Sequence, residues 1–146
     1  MKLILVLKSA AIAALTLTAL PVAVHADGNH VTIDQWGQAN EIGGSQQGWR
    51  NRLTINQSGW GNSTIATQDG ARNRTVIGQT GVGNGVIASQ QGRCNILGVA
   101  QMGSGNQANA TQAGGCNALG VIQVGTGNHA STVQSGSGNV AVIVQD

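Results

Sequence analysis

Apolar and polar residues alternate along short stretches of this chain, and the alternation restarts every 11 residues. In Asn51-Arg52-Leu53-Thr54-Ile55-Asn56-Gln57, the residues Asn51, Leu53, Ile55 and Gln57 share one face of a strand, because successive strand side chains point to opposite sides. The two middle positions of that face carry the apolar signal. In odd-numbered segments they are Val31/Ile33, Leu53/Ile55, Thr75/Ile77, Leu97/Val99, Leu119/Val121 and Ala141/Ile143. In even-numbered segments they are Ile42/Gly44, Thr64/Ala66, Val86/Ala88, Ala108/Ala110 and Ala130/Thr132. Large pairs alternate with mostly small pairs, so the full repeat is 22 residues long. This predicts an all-β fold: a β-solenoid of eleven strands in two facing stacked parallel sheets, each 22-residue coil made of two 11-residue strand-turn half repeats. Bulky side chains of one sheet fill the room left by alanine and glycine on the other, which gives close packing without aromatics.

Polar residues keep the same period. Glutamine stands at Gln35, Gln46, Gln57, Gln68, Gln79, Gln90, Gln101, Gln112, Gln123, Gln134 and Gln145. Asparagine stands at Asn29, Asn40, Asn51, Asn62, Asn73, Asn84, Asn95, Asn106, Asn117, Asn128 and Asn139. Both columns flank the core on the inward face. Stacked strands set identical side chains ~4.7–4.9 Å apart. At that spacing one side-chain amide donates to the next, forming ladders, and spare donors reach turn backbone. The four residues between Gln and Asn, such as Ser58-Gly59-Trp60-Gly61, are read as the turn. Each turn holds a fixed glycine: Gly37, Gly48, Gly59, Gly70, Gly81, Gly92, Gly103, Gly114, Gly125 or Gly136. A fixed turn glycine implies a positive φ.

The first 26 residues lie outside the repeat. Lys2 gives a basic start, an apolar stretch follows, and Val24-His25-Ala26 ends it with a small residue, as a secretory signal does. Residues 1–26 are therefore expected to be removed, leaving 27–146 as the solenoid, with no transmembrane segment in the mature chain. The formal charge of +2 leaves with Lys2 and Lys8; five arginines then balance Asp27, Asp34, Glu41, Asp69 and Asp146. Nothing in that balance calls for nucleic acid. A surface with so little charge lacks the repulsion that keeps molecules apart. The only proline falls in the leader, as expected of strands that need every N–H.

No residues form a catalytic constellation, and no cofactor or metal is expected. His30 and His129 fall on outward positions of distant strands, the acidic residues are scattered, and the Gly-x-Gly fragments belong to turns with no helix after them. An ice-binding solenoid would need a flat outward column of threonine. Here that column reads Thr32, Thr54, Val76, Gly98, Gly120, Val142. Arg50, Arg52, Arg72 and Arg74 stack on one edge. They read as gatekeepers against premature assembly, as a site for an anionic polymer, or simply as a solvated edge. Cys94 and Cys116 are 22 apart, one rung apart in the same turn column, which is close enough for a disulfide in an exported protein. Trp36, Trp49 and Trp60 crowd the first three turns, where they read as covers for neighbouring backbone and apolar surface or, as the alternative, as a sticky aromatic patch for surfaces or sugars.

The pattern Gln-x-Gly-x-x-Asn, seen in Gln68-Asp69-Gly70-Ala71-Arg72-Asn73 and Gln134-Ser135-Gly136-Ser137-Gly138-Asn139, resembles the curlin repeat, and the resemblance extends over residues 29–146. It implies a subunit of curli, the functional amyloid fibre of Gram-negative cell surfaces and biofilms. It further implies passage through the periplasm and an outer-membrane secretion pore, with periplasmic chaperones and a nucleator subunit as partners. A nucleator role for this chain is the alternative. Family members carry a non-repeat addressing segment after the signal, whereas here only Asp27 and Gly28 precede the first repeat.

Overall fold

Eleven strands follow one another with nothing but corners between them in the computed structural model, which describes residues 28–146. The leader read at 1–26 lies outside the described residues, as does Asp27. The strands are β1 (His30–Gln38), β2 (Glu41–Trp49), β3 (Arg52–Trp60), β4 (Ser63–Ala71), β5 (Arg74–Val82), β6 (Gly85–Arg93), β7 (Ile96–Ser104), β8 (Gln107–Gly115), β9 (Ala118–Thr126), β10 (His129–Ser137) and β11 (Val140–Gln145). Odd strands form a six-stranded sheet in the order β1-β3-β5-β7-β9-β11; even strands form a five-stranded sheet, β2-β4-β6-β8-β10. Pairing is parallel throughout, and each residue lies beside the one 22 further along, as in Leu53↔Thr75 and Gln57↔Gln79. The chain is thus a β-solenoid of about five turns.

The strands differ from the expected bounds in one respect. Each starts just after its Asn and, β11 apart, continues past its Gln by three residues, so Gly59 pairs with Gly81 inside the ladder. The reason is that every corner stacks on an identical corner, so strand pairing continues around the bend. Only two residues per corner, such as Gly61 and Asn62, stay outside. Each corner uses two left-handed positions. The fixed glycine has φ between 91° and 123°, and the residue before each Asn has φ between 54° and 73°. The second position was not read from the sequence, where Ala39, Arg50, Arg72, Cys94 and Cys116 occupy it as non-glycines. Its signal was present, because glycine holds the other six of the eleven places.

The core is the thin layer between the sheets. Leu53, Ile55, Ile77, Leu97, Val99, Leu119 and Val121 of the odd sheet pack against Ala66, Val86, Ala88, Ala108, Ala110 and Ala130 of the even sheet. Large faces small as the alternation predicts. At Gly44 a Cβ would stand 3.2 Å from Leu53 Cδ2, tighter than ordinary van der Waals contact.

Candidate functional site

Two glutamine ladders run the length of the coil at the margins of the core. In the odd sheet Gln35 Nε2 donates to Gln57 Oε1 at 3.0 Å, and the relay passes through Gln79, Gln101 and Gln123 to Gln145. In the even sheet it runs from Gln46 through Gln68, Gln90 and Gln112 to Gln134. The interior members are at most 2% exposed. The second N–H crosses to the other sheet: Gln79 reaches Ser63 O at 3.2 Å and Gln101 reaches Gly85 O at 3.1 Å. One amide thereby ties a rung to the next and one sheet to its opposite. Two threonines at core positions join the same network. Thr64 Oγ1 accepts from Gln57 and donates to Gln79 Oε1 at 2.8 Å, and Thr75 does the same between Gln68 and Gln90. These cross-sheet links were missed because both threonines counted only as core filling.

The asparagine column combines amide-to-amide bonds with the bonds to turn backbone expected of spare donors, and it adds acceptance of a backbone N–H from the corner above. Asn84 Nδ2 donates to Thr80 O within its own corner and to Gly103 O of the corner above, at 3.3 and 3.1 Å. Asn84 Oδ1 accepts the backbone N–H of Asn106 at 3.1 Å. Side-chain amide bonds between asparagines exist, such as Asn84 Nδ2 to Asn62 Oδ1 at 3.1 Å, but they supplement the backbone bonds. A corner turns its peptide groups inward, where water does not reach them, and the asparagine replaces the water.

All five arginines of the described residues gather on the edge where even strands turn into odd ones. Arg52 and Arg74 are register neighbours. Arg50 and Arg72 both lie over the Trp49 ring, with the guanidinium carbons 5.0 and 4.8 Å from its centroid. Cation–π contact of this kind is worth ~0.5–1 kcal/mol per pair at an exposed site, which offsets the repulsion expected of a stacked arginine column. Trp36 and Trp60 lie on the opposite edge, half-exposed.

Further along the arginine edge, Cys94 and Cys116 are joined as a disulfide, with Cα atoms 4.4 Å apart. Both occupy the left-handed corner position, at φ 63° and 54°. Mass spectrometry of non-reduced protein is expected to find the peptide spanning both cysteines lighter by two hydrogens; complete alkylation without reductant would contradict it.

At the two ends of the described coil, complementary groups are left without partners among the described residues. Val31 and Ile42 at the first coil, and Ala141 and Ile143 at the last, are only partly buried. Among the described residues nothing donates to the side-chain oxygens of Gln35 and Gln46 at the first end. At the last end, the Gln134 and Gln145 amides bond only backwards, to Ala118 O and His129 O, leaving an N–H on each without an acceptor among the described residues. The Asn128 and Asn139 oxygens likewise await the backbone N–H that every earlier asparagine receives. No protein-family model matches this chain, and no curated protein or solved structure matches it either.

Proposed function

We propose that this chain is a secreted structural subunit that assembles with copies of itself, end to end, into an extracellular amyloid fibre of the curli kind. The observation that supports this reading is that neither terminal coil is capped among the described residues. Solenoids that stay monomeric need terminal caps with polar outer faces. Here the last coil instead offers half-buried Ala141 and Ile143, free amide donors and an unpaired strand edge, and the first coil offers the matching acceptors. An unpaired edge of this kind is a template for another strand. The outward side of β11 adds Val140, Val142 and Val144, each at least 66% exposed. The spacing shared with the curlin repeat and the signal-like leader agree with export to a cell surface, where such fibres serve adhesion and the biofilm matrix. The secretion pore, chaperones and nucleator belong to the same reading.

The purified chain from Asp27 onward should form fibres after a lag that preformed seeds abolish, with a cross-β reflection near ~4.7–4.8 Å. Val142→Lys combined with Val144→Pro should suppress elongation, because the edge loses apolar cover and a backbone donor. Elongation at the unmodified rate would count against edge addition, and a chain that stays monomeric at high concentration would end the proposal. A nucleator would differ in seeding a second subunit at substoichiometric amounts.

A further inference from the structure

Resting on the fibre reading, the inference here specifies the contact between subunits. The last two strands do not finish level. β10 ends the even sheet and β11 ends the odd sheet half a coil higher, so the open place next in line lies above β10. We infer that this place takes β1 of a second copy and that the place above β11 takes its β2. Odd and even sheets are then exchanged between neighbours, and successive subunits are related by about half a turn around the axis.

Three observations converge on this register. The first is the amide network. Continuing the 22-residue spacing upward sets the incoming Gln35 over Gln134 and the incoming Gln46 over Gln145, so each free Nε2 donor meets a free Oε1 acceptor. The backbone N–H groups of the incoming Asn29 and Asn40 reach the Asn128 and Asn139 oxygens by the same rule that joins every internal coil. The incoming Gly37 carbonyl takes the Asn139 amide, as Gly136 takes that of Asn117.

The second is side-chain size. Position 141 is alanine, where the five lower odd strands have Val31, Leu53, Thr75, Leu97 and Leu119. With the sheets exchanged, Ala141 faces the incoming Ile33 and stacks under the incoming Ile42, while Ile143 stacks under the incoming Gly44. The small residue of the last large-faced strand thus meets the large residues of the incoming pair, and the large residue meets the gap. The third is continuity. Any arrangement that sets β1 directly on β11 leaves the β10 edge bare inside the fibre, with backbone donors and acceptors unpaired where water is excluded.

The register brings together residues that lie at opposite ends of one subunit. His129 of one copy becomes the neighbour of His30 of the next, whereas β1 seated on β11 would pair His30 with Val140. All three side chains are exposed and point outward from their strands. Cysteines one rung apart are already bridged in this fold, at 94 and 116. The native cysteines being joined to each other, mixtures of single variants report the junction directly. Fibres grown from His30→Cys mixed with His129→Cys should, on mild oxidation, shift on a non-reducing gel from monomer to a covalent dimer that reductant reverses. His30→Cys mixed with Val140→Cys should remain monomer. Fibres in which only the second mixture links, or neither does, overturn the half-turn register while leaving the fibre reading intact; a chain that makes no fibres overturns both. Helical reconstruction of unmodified fibres gives the same decision without substitutions. The expected axial rise is five and a half coils, ~26 Å at ~4.8 Å per coil, with a half-turn between subunits. A rise of six coils, ~29 Å, with no half-turn overturns the inference.

Discussion

Gly81→Ala is expected to destabilise the folded coil severely, whereas Gly78→Ala, three residues earlier, leaves it intact. A Cβ on Gly81 would overlap the carbonyl oxygen of Gly103 in the corner above and stand 2.9 Å from its carbon, and the backbone there is held at φ 123°. Backbone in such a region costs about 1–3 kcal/mol for a residue with a side chain. Forcing a methyl into packed backbone costs about 1–3 more. The sum, ~2–6 kcal/mol, is a large part of the ~5–15 kcal/mol that holds an ordinary domain together. Neither corner can retreat, because each rests on another like it. Gly78 has an ordinary φ and nothing within 4 Å of its added methyl. Alanine there narrows the unfolded ensemble and should change stability by less than about 1 kcal/mol. Denaturant unfolding of the soluble form, read by far-ultraviolet circular dichroism, checks the pair; similar midpoints for both variants would contradict the stacked-corner account.

Gln101→Ala is expected to be nearly as damaging, for a different reason. The side chain is 1% exposed. It accepts from Gln79 at 2.9 Å and donates to Gln123 at 2.8 Å and to Gly85 O at 3.1 Å. Truncation strands one N–H of Gln79 and the oxygen of Gln123 inside the coil. Two buried polar groups left without partners cost about 2–6 kcal/mol together, from ~1–3 each. The exposed Asn109→Ala on β8 is expected to fall within about 0.5 kcal/mol of the parent. Equal resistance of the two variants to denaturant, as soluble protein or as fibre, would remove the ladder from any role in stability.

Gln101 also shows why so much of this architecture was legible in the sequence. A polar residue recurring without a miss at a strand-compatible spacing has few physical explanations, and a buried amide that needs its own copy on either side is the simplest. The alternation of Leu97/Val99 with Ala108/Ala110 then assigned strands to sheets, since only complementary sizes pack. What stayed hidden was what spacing does not encode. The left-handed place before each Asn was obscured by Arg50, Arg72 and Cys94, residues that rarely adopt it. The contact of Arg72 with the Trp49 ring is a diagonal one between successive corners, off the strict 22-residue column. The asparagines betrayed a column and its reach to turn backbone, but not which corner supplies each partner, because an amide facing a bend serves whichever backbone groups the bend turns inward. The groups left without partners at the ends of the described coil are invisible to spacing, because they differ from interior ones only in lacking a described neighbour.

The disulfide has a mechanical consequence. A solenoid pulled along its axis yields from an end, coil by coil, since each coil is held mainly by its neighbours. The bridge between Cys94 and Cys116 closes a loop with a sequence separation of 22 in the C-terminal half of the molecule. Unreeling chain transmits tension across the sulfurs and bypasses that loop. At ~3.3–3.6 Å per extended residue, roughly 70–80 Å of slack is never released. A thread of such subunits tugged by flowing water would therefore stretch less far than its contour allows, and the shielded coil, never drawn straight, would remain as a seed on which the neighbouring coils rewind when the load drops.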